Sequence, residues 1–316
     1  MLYISYIFIK NNYKMSVEDI NSKNDSLCLK NNKNVENIDA LRSKFSLWLY
    51  KSLDYGYYSP VKSETDKEKY PLIIFLHGMW HWWTQMSQVY DSYFPYMTSD
   101  IIQSKFQENW AHIILPRTPL NVLWILNSNH IQWLIEDYVQ KNADHVDKNQ
   151  IVIMWTSAGS NMIWRLLAKN PDFYSRAVLA CPPVIPTNKH LEKMANVPLW
   201  IVSAKKDPIV LYPTQKILRE KIKNTTNVPD KCRWTVFPWK IYHPDGTLIN
   251  FPHYLSYVIT SDFVPFNIPN YENIKYNWTN YPGTITRTAS GNEVPTQWII
   301  NRTEAWIENI LQYMFC

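Results

Sequence analysis

Ile151-Val152-Ile153-Met154-Trp155-Thr156-Ser157-Ala158-Gly159-Ser160 is the stretch on which the reading of this chain turns. Its apolar first half has the length and character of a strand buried on both faces. After Ser157 the period changes, and Met162, Ile163, Leu166 and Leu167 fall on one face of a helix that begins at Ala158. A serine at such a strand-to-helix corner is held clear of the sheet, with the first amides of the helix behind it to meet developing negative charge. The plain alternative is a serine whose hydroxyl caps an ordinary helix.

Outward from this corner the same alternation repeats. Further short apolar runs lie at Leu72 to Leu76, His112 to Leu115, Ala177 to Cys181, Leu199 to Val202 and Trp234 to Phe237. A helical stripe of Ile131, Leu134, Ile135 and Tyr138 precedes the central run. Near the end, Asn301 and Glu304 make a plausible cap for a last helix carrying Trp306, Ile307, Ile310 and Leu311. Buried strands alternating with amphipathic helices imply an α/β fold, a mostly parallel central sheet with helices on both faces. Residues 1–40 read as a flexible leader, because their Asn, Lys, Ser and acidic content offers little apolar area to offset chain entropy. Ordered structure is expected to begin in the aromatic stretch Phe45 to Tyr58. Residues 41–316 then form a single domain with an insertion or long loop near 263–295, a segment rich in Asn, Pro and Tyr.

The charge balance narrows the partners. A formal net charge of +5, spread without a dense basic block, gives no footprint for a phosphate backbone, so nucleic acid is not expected. Cys28, Cys181, Cys232 and Cys316 are scattered and contain no Cys-x-x-Cys pair, which suggests neither a zinc ribbon nor a disulfide scaffold. No His-Glu-x-x-His spacing occurs either, and no metal or organic cofactor is expected. The apolar segment Leu2 to Ile9 is too short to span a bilayer. It also matches a secretory signal poorly, since its lysines follow it and no small-residue cleavage site closes it. Glycosylation sequons at Asn24, Asn224, Asn277 and Asn301 are expected by chance in so Asn-rich a chain, and the reading leans to the cytoplasm over secretion.

The remaining chemistry-bearing residues lie at the ends of the other strands. The first buried run releases the chain through His77-Gly78-Met79, and in a chain with 6 glycines a glycine at this place is informative. The Met79 and Ala158 amides would converge on one substrate oxygen, with His77 bracing the loop; a structural turn explains His-Gly alone about as well. Downstream, the Leu199 run ends in Asp207-Pro208, where an acid could accept the Nδ1 proton of a histidine, or could be a plain turn aspartate. Two histidines follow Asp207. His253 is preferred as base because it opens an apolar segment, whereas His243 sits in Tyr-His-Pro-Asp-Gly, a surface-turn pattern. His112, His130, His145 and His190 have no partner pattern and read as core or surface residues. Trp80, Trp82 and Trp83, with Trp124, could wall a substrate pocket or simply pack on neighbouring helices.

Taken together, these residues resemble the α/β-hydrolase superfamily, in its branch of small serine esterases and prolyl-oligopeptidase-like hydrolases that includes polyhydroxybutyrate-depolymerase-type enzymes. The likeness runs from Phe45 to His253. It is carried by Tyr70-Pro-Leu-Ile-Ile-Phe-Leu-His-Gly78, Val146-Asp-Lys-Asn-Gln-Ile-Val-Ile, the Ser157 corner, Asn170-Pro-Asp-Phe-Tyr and Ala180-Cys-Pro-Pro183, in that order. The resemblance implies Ser157 as nucleophile, Asp207 as acid, His253 as base and the Met79 and Ala158 amides as oxyanion donors. It departs from the usual Gly-x-Ser-x-Gly at Trp155, and Ser160 replaces a frequent second glycine. The small residue is usual because the sharp turn brings strand and helix backbones together, so an indole there must find an unusual gap or open the turn. The expected activity is hydrolysis of a small carboxylic ester through an acyl-enzyme. A serine peptidase acting on short peptides is the alternative within that chemistry, and Trp155 motivates a third reading, a hydrolase-fold binding protein with an impaired site.

Overall fold

A computed structural model describes residues 38–51, 53–61, 69–77, 98, 103, 110–117, 128–225, 232–237 and 285–288. Helix α1 (Ile38–Ser43) opens the described chain across residue 40, where the stretch read as leader ends, and buries Leu41 completely. Strands β1 (Ser46–Tyr50) and β2 (Leu53–Tyr58) form an antiparallel hairpin that turns at Lys51, whose φ is 54°. At this edge Leu47, Trp48 and Leu49 are 57%, 58% and 59% exposed, so no described element covers either face of β1.

The apolar runs become the sheet. Strands β3 (Tyr70–Leu76), β4 (His112–Pro116), β5 (Val146–Thr156), β6 (Arg176–Ala180), β7 (Leu199–Ala204) and β8 (Arg233–Phe237) pair in parallel, and β9 (Ile285–Thr288) closes the far edge antiparallel to β8. The order across the sheet is β1-β2-β4-β3-β5-β6-β7-β8-β9. Part of the segment expected to be an insertion therefore supplies a strand. Every residue of β3, β4 and β7 is buried, as runs without polar alternation require when helices cover both faces.

Helices α2 (Ser128–Lys141) and α3 (Ala158–Lys169) flank the central strand in sequence, with buried stripes that match the expected ones. The stripe of α3, Met162, Ile163, Leu166 and Leu167, has no solvent exposure. Each such side chain contributes about 1.5–3 kcal/mol through burial. Pro171 follows its C-cap Asn170, where a missing amide stops a helix, and opens a short 3-10 turn, Pro171–Phe173. Two helices follow. In α4 (Asn188–Lys193) the Thr187 hydroxyl accepts the His190 amide at the N-terminus. In α5 (Tyr212–Lys223) Pro213 in the first turn and the buried Gln215, Leu218 and Ile222 mark the start and the inward face.

This strand order places a site before any side chain is considered. The chain leaving β3 crosses to β4 on one side, whereas the chain leaving β5 crosses to β6 on the other. In an open α/β sheet such a reversal leaves a crevice at the carboxyl ends of the two strands. Here those ends are His77 and Ser157.

Candidate functional site

Ser157 stands between the last residue of β5 and the first of α3, with φ 53° and ψ −125°. A non-glycine residue in this sparsely populated region costs on the order of 1–3 kcal/mol and persists only where its surroundings over-determine it. They do so here. The Ser157 amide donates to the Ala180 carbonyl at 2.9 Å, and its carbonyl accepts the Ser160 amide at 2.9 Å. The hydroxyl makes no capping bond to the helix it precedes, so the plain helix-cap account does not describe it. The side chain is 6% exposed.

The strand register holds across Trp155, which pairs with Leu76 of β3 and with Leu179 of β6, and the tight turn follows at Ser157. The backbone thus keeps the bend that the departure from glycine had put in question.

Two strands away, Asp207 follows β7 at the same end of the sheet. Adjacent strands lie about 4.8 Å apart, so the ends of β5 and β7 are roughly 10 Å apart. Asp207 is 3% exposed, and its Oδ1 accepts the amides of Ile209 and Val210, each at 2.8 Å. The Asp-Pro turn expected from sequence is present, with the carboxylate folded back over it.

Between these corners lies Cys181, the residue after β6, which the sequence reading did not single out. It is buried, with φ 47°, and its amide donates to Val202 at 2.8 Å. Burial first, and then the Asp207 charge, push the thiol well above its usual range, so it remains protonated and is not a nucleophile. The signal in sequence pointed the other way. Pro182 ordinarily drives the residue before it into extended backbone, not the left-handed region.

His77 is buried at the end of β3, and the Ala158 amide is one of the first helical amides that the helix itself leaves unsatisfied. Met79, Trp80, Trp82, Trp83, Trp124, His243 and His253 lie outside the described residues, as does the expected last helix. Both histidines follow the end of β8 at Phe237. Of the unassigned histidines, His112 is a core residue, bonded through Nδ1 to the Tyr138 hydroxyl at 2.9 Å and through Nε2 to the His145 carbonyl at 3.2 Å. Among the described residues no cluster of His, Cys, Asp and Glu could hold a metal ion, and no helix is long and apolar enough to cross a membrane.

No protein-family model matches the chain, and no curated protein matches it. Solved structures do. A thermostable esterase superposes with a TM-score of 0.53 at 21% identity over 63% of this chain and 56% of its own, so the match spans just over half that protein's length. Esterase 2 of Thermogutta terrifontis, phosphorylated by paraoxon, gives 0.47 at 15% identity over 70% of this chain and 93% of its own. Est1E of Butyrivibrio proteoclasticus gives 0.45 at 14% identity over 71% and 98%. The strand order and the first of these likenesses define the class: the chain has the α/β-hydrolase fold. At such identity the likeness extends to the fold alone.

Proposed function

We propose that the chain is a serine hydrolase that cleaves small carboxylic esters through an acyl-enzyme. The observation that carries the reading is Ser157, held at φ 53° with its hydroxyl unspent on capping, at the same end of the sheet as the buried Asp207. In this reading the β5–α3 corner is a nucleophile elbow. His253 removes the Ser157 proton as the oxygen attacks the ester carbonyl, and Asp207 holds the imidazole tautomer and stabilises the imidazolium. The Ala158 amide, at the positive end of α3, and the Met79 amide receive the oxyanion. Loss of one such donor costs about 3 kcal/mol in barrier. Trp80, Trp82, Trp83 and Trp124 supply aromatic walls for the acyl or leaving group. Water then releases the acyl group by the same base, and no step calls for a metal or an organic cofactor.

The test is labelling with a fluorophosphonate probe. The wild type is expected to be labelled and a Ser157→Ala variant is not. Equal labelling of both would remove Ser157 from the chemistry, and labelling of neither would favour a binding protein on this fold. With labelling established, p-nitrophenyl esters are expected to turn over faster than dipeptide amides; the reverse order would make the chain a peptidase. His253→Ala is expected to abolish turnover where His243→Ala does not.

A further inference from the structure

We propose that the outer edge of β1 is a homodimer interface, on which a second copy of this chain lays its own β1 antiparallel, with Trp48 opposite Trp48 of the second copy across a two-fold axis. This interface does not depend on the hydrolase reading, because β2, β4 and β3 separate β1 from β5 in the sheet.

Among the described residues, β1 ends the sheet and no strand pairs with its outer edge. The backbone groups it offers there follow from its neighbours. The Asp54 carbonyl accepts the Arg117 amide at 2.9 Å, so Asp54 turns its backbone toward the β4 side of β2. Leu49, which faces Asp54 across the hairpin, is therefore in a pair without hydrogen bonds and directs its own amide and carbonyl outward. Leu47, two residues back, does the same. With Trp48 on the axis, Leu47 exchanges amide-to-carbonyl bonds with Leu49 of the second copy, and Leu49 does so with Leu47 of that copy. Outward groups meet outward groups throughout.

The side chains fit the same register. Ser46-Leu47-Trp48-Leu49-Tyr50 reads nearly alike in both directions about Trp48, so an antiparallel copy sets leucine against leucine and indole against indole. No residue of the strand is charged, although sheet edges are commonly guarded by lysine or proline. The flanking lysines are turned elsewhere. Lys44 Nζ donates to the Thr98 carbonyl at 3.1 Å, and Lys51 Nζ lies 4.6 Å from the centre of the Trp133 ring. Like charges therefore do not meet across the axis.

Exposure on both faces selects a strand as the occupant. Trp48 shares a face with Tyr57, whose ring meets Tyr138 of α2 edge-on, whereas Leu47 and Leu49 lie on the opposite face, and all three are more than half exposed. A flat lipid surface would cover one face only. A neighbouring strand covers both. The three side chains present roughly 400 Å² per copy, about half of what each partner brings to a standard interface, so with the ladder bonds the dimer is expected to be reversible. A two-fold contact uses the same patch on both copies, and assembly stops at two.

Sedimentation velocity over a concentration series is expected to show the wild type passing from monomer to dimer in the micromolar range. Trp48→Lys and Trp48→Glu each set like charges against one another on the axis, and each is expected to weaken association by at least about thirtyfold. Mixed in equal amounts, the two variants are expected to dimerise again, because Lys then faces Glu. Circular dichroism checks that both are folded. Should either fail to fold, cross-linking decides. Opposed residues in a pair without hydrogen bonds have Cα atoms about 4.5 Å apart, within reach of a disulfide, so Trp48→Cys is expected to cross-link under mild oxidation and Ser46→Cys is not. The wild type under the same oxidant controls for its own 4 cysteines. A wild type that stays monomeric at every concentration would overturn the interface, and its co-sedimentation with phosphatidylcholine vesicles would give the edge to a lipid surface instead. A dimer that survives both charged variants, or a mixture that does not re-form one, would overturn it as well.

Discussion

The amide of Ser157 donates to the carbonyl of Ala180 at 2.9 Å, so the corner after the central strand is pinned by the end of the neighbouring one. That bond lets a non-glycine residue stay at φ 53°. The strain is a stability cost that only glycine would relieve. Ser157→Gly is therefore expected to be more stable than Ser157→Ala by about 1 kcal/mol in urea unfolding. Both variants lack the hydroxyl, so the comparison isolates the backbone. Equal stabilities would mean that the corner relaxes in solution.

A second prediction concerns His112. Its Nε2 faces the His145 carbonyl, which can only accept, so Nε2 carries the proton and Nδ1 accepts from the Tyr138 hydroxyl. Burial is the main cause that lowers its pKa from 6.5 to about 4. The unfolded chain then binds a proton at this site that the folded chain does not, between those two values. The contribution is fully present above pH 6.5 and is lost as pH falls through that window to about 4. It amounts to about 3 kcal/mol. Urea unfolding across this range is expected to show that slope in the wild type and to lose it in His112→Gln. A slope of the same size in both proteins would place the acid sensitivity elsewhere.

The parts of this fold that were legible in sequence are those whose burial is complete. Leu72 to Leu76 and Ile151 to Met154 have no exposed face to require alternation, so their apolar runs translate directly into strands. Helix α3 showed because its inward stripe keeps helical spacing. Strand β9 did not, because Ile285–Thr288 is a short edge segment inside a polar, Pro-rich stretch, and its partner β8 decides its conformation. The corners of the site were legible as residue types at strand ends, Ser157 and Asp207. What escaped was Cys181, where the local rule before proline predicts extended backbone, and the tertiary bonds from the Cys181 amide to Val202 and from Gln215 to the Pro182 carbonyl prevail. The expectation at Trp155 was likewise local. Its pairing with both Leu76 and Leu179 keeps the strand in register up to the turn.

The same distinction between buried and exposed groups sets the scale of two substitutions. Arg117 pairs with Asp54 through its guanidinium, but the two side chains are 21% and 38% exposed. Asp54→Asn is expected to cost less than about 1 kcal/mol, since water screens such a pair. Ile153, in the middle of β5 with Ile74 and Ala177 on either side, has no exposure. Ile153→Ala is expected to cost about 2–5 kcal/mol through lost burial and the cavity left behind. Chemical unfolding of both variants checks the ranking, and a larger loss at Asp54 would contradict it.

The buried thiols give the last prediction. Burial pushes Cys232 up to about 12, and Cys181 is raised well above its ordinary value by burial and by the Asp207 charge. Neither forms a disulfide, and both are nearly inaccessible. Alkylation requires the thiolate, so at about pH 8 the native protein offers a reactive fraction at Cys232 on the order of one in ten thousand, before access is considered. Treatment of the folded chain with iodoacetamide, followed by peptide mass mapping, is expected to leave both residues unmodified. After denaturation both should react fully, because an unfolded thiol returns to its ordinary pKa. Modification of Cys181 in the folded state, at a rate comparable with the denatured one, would show that the β6 corner opens in solution.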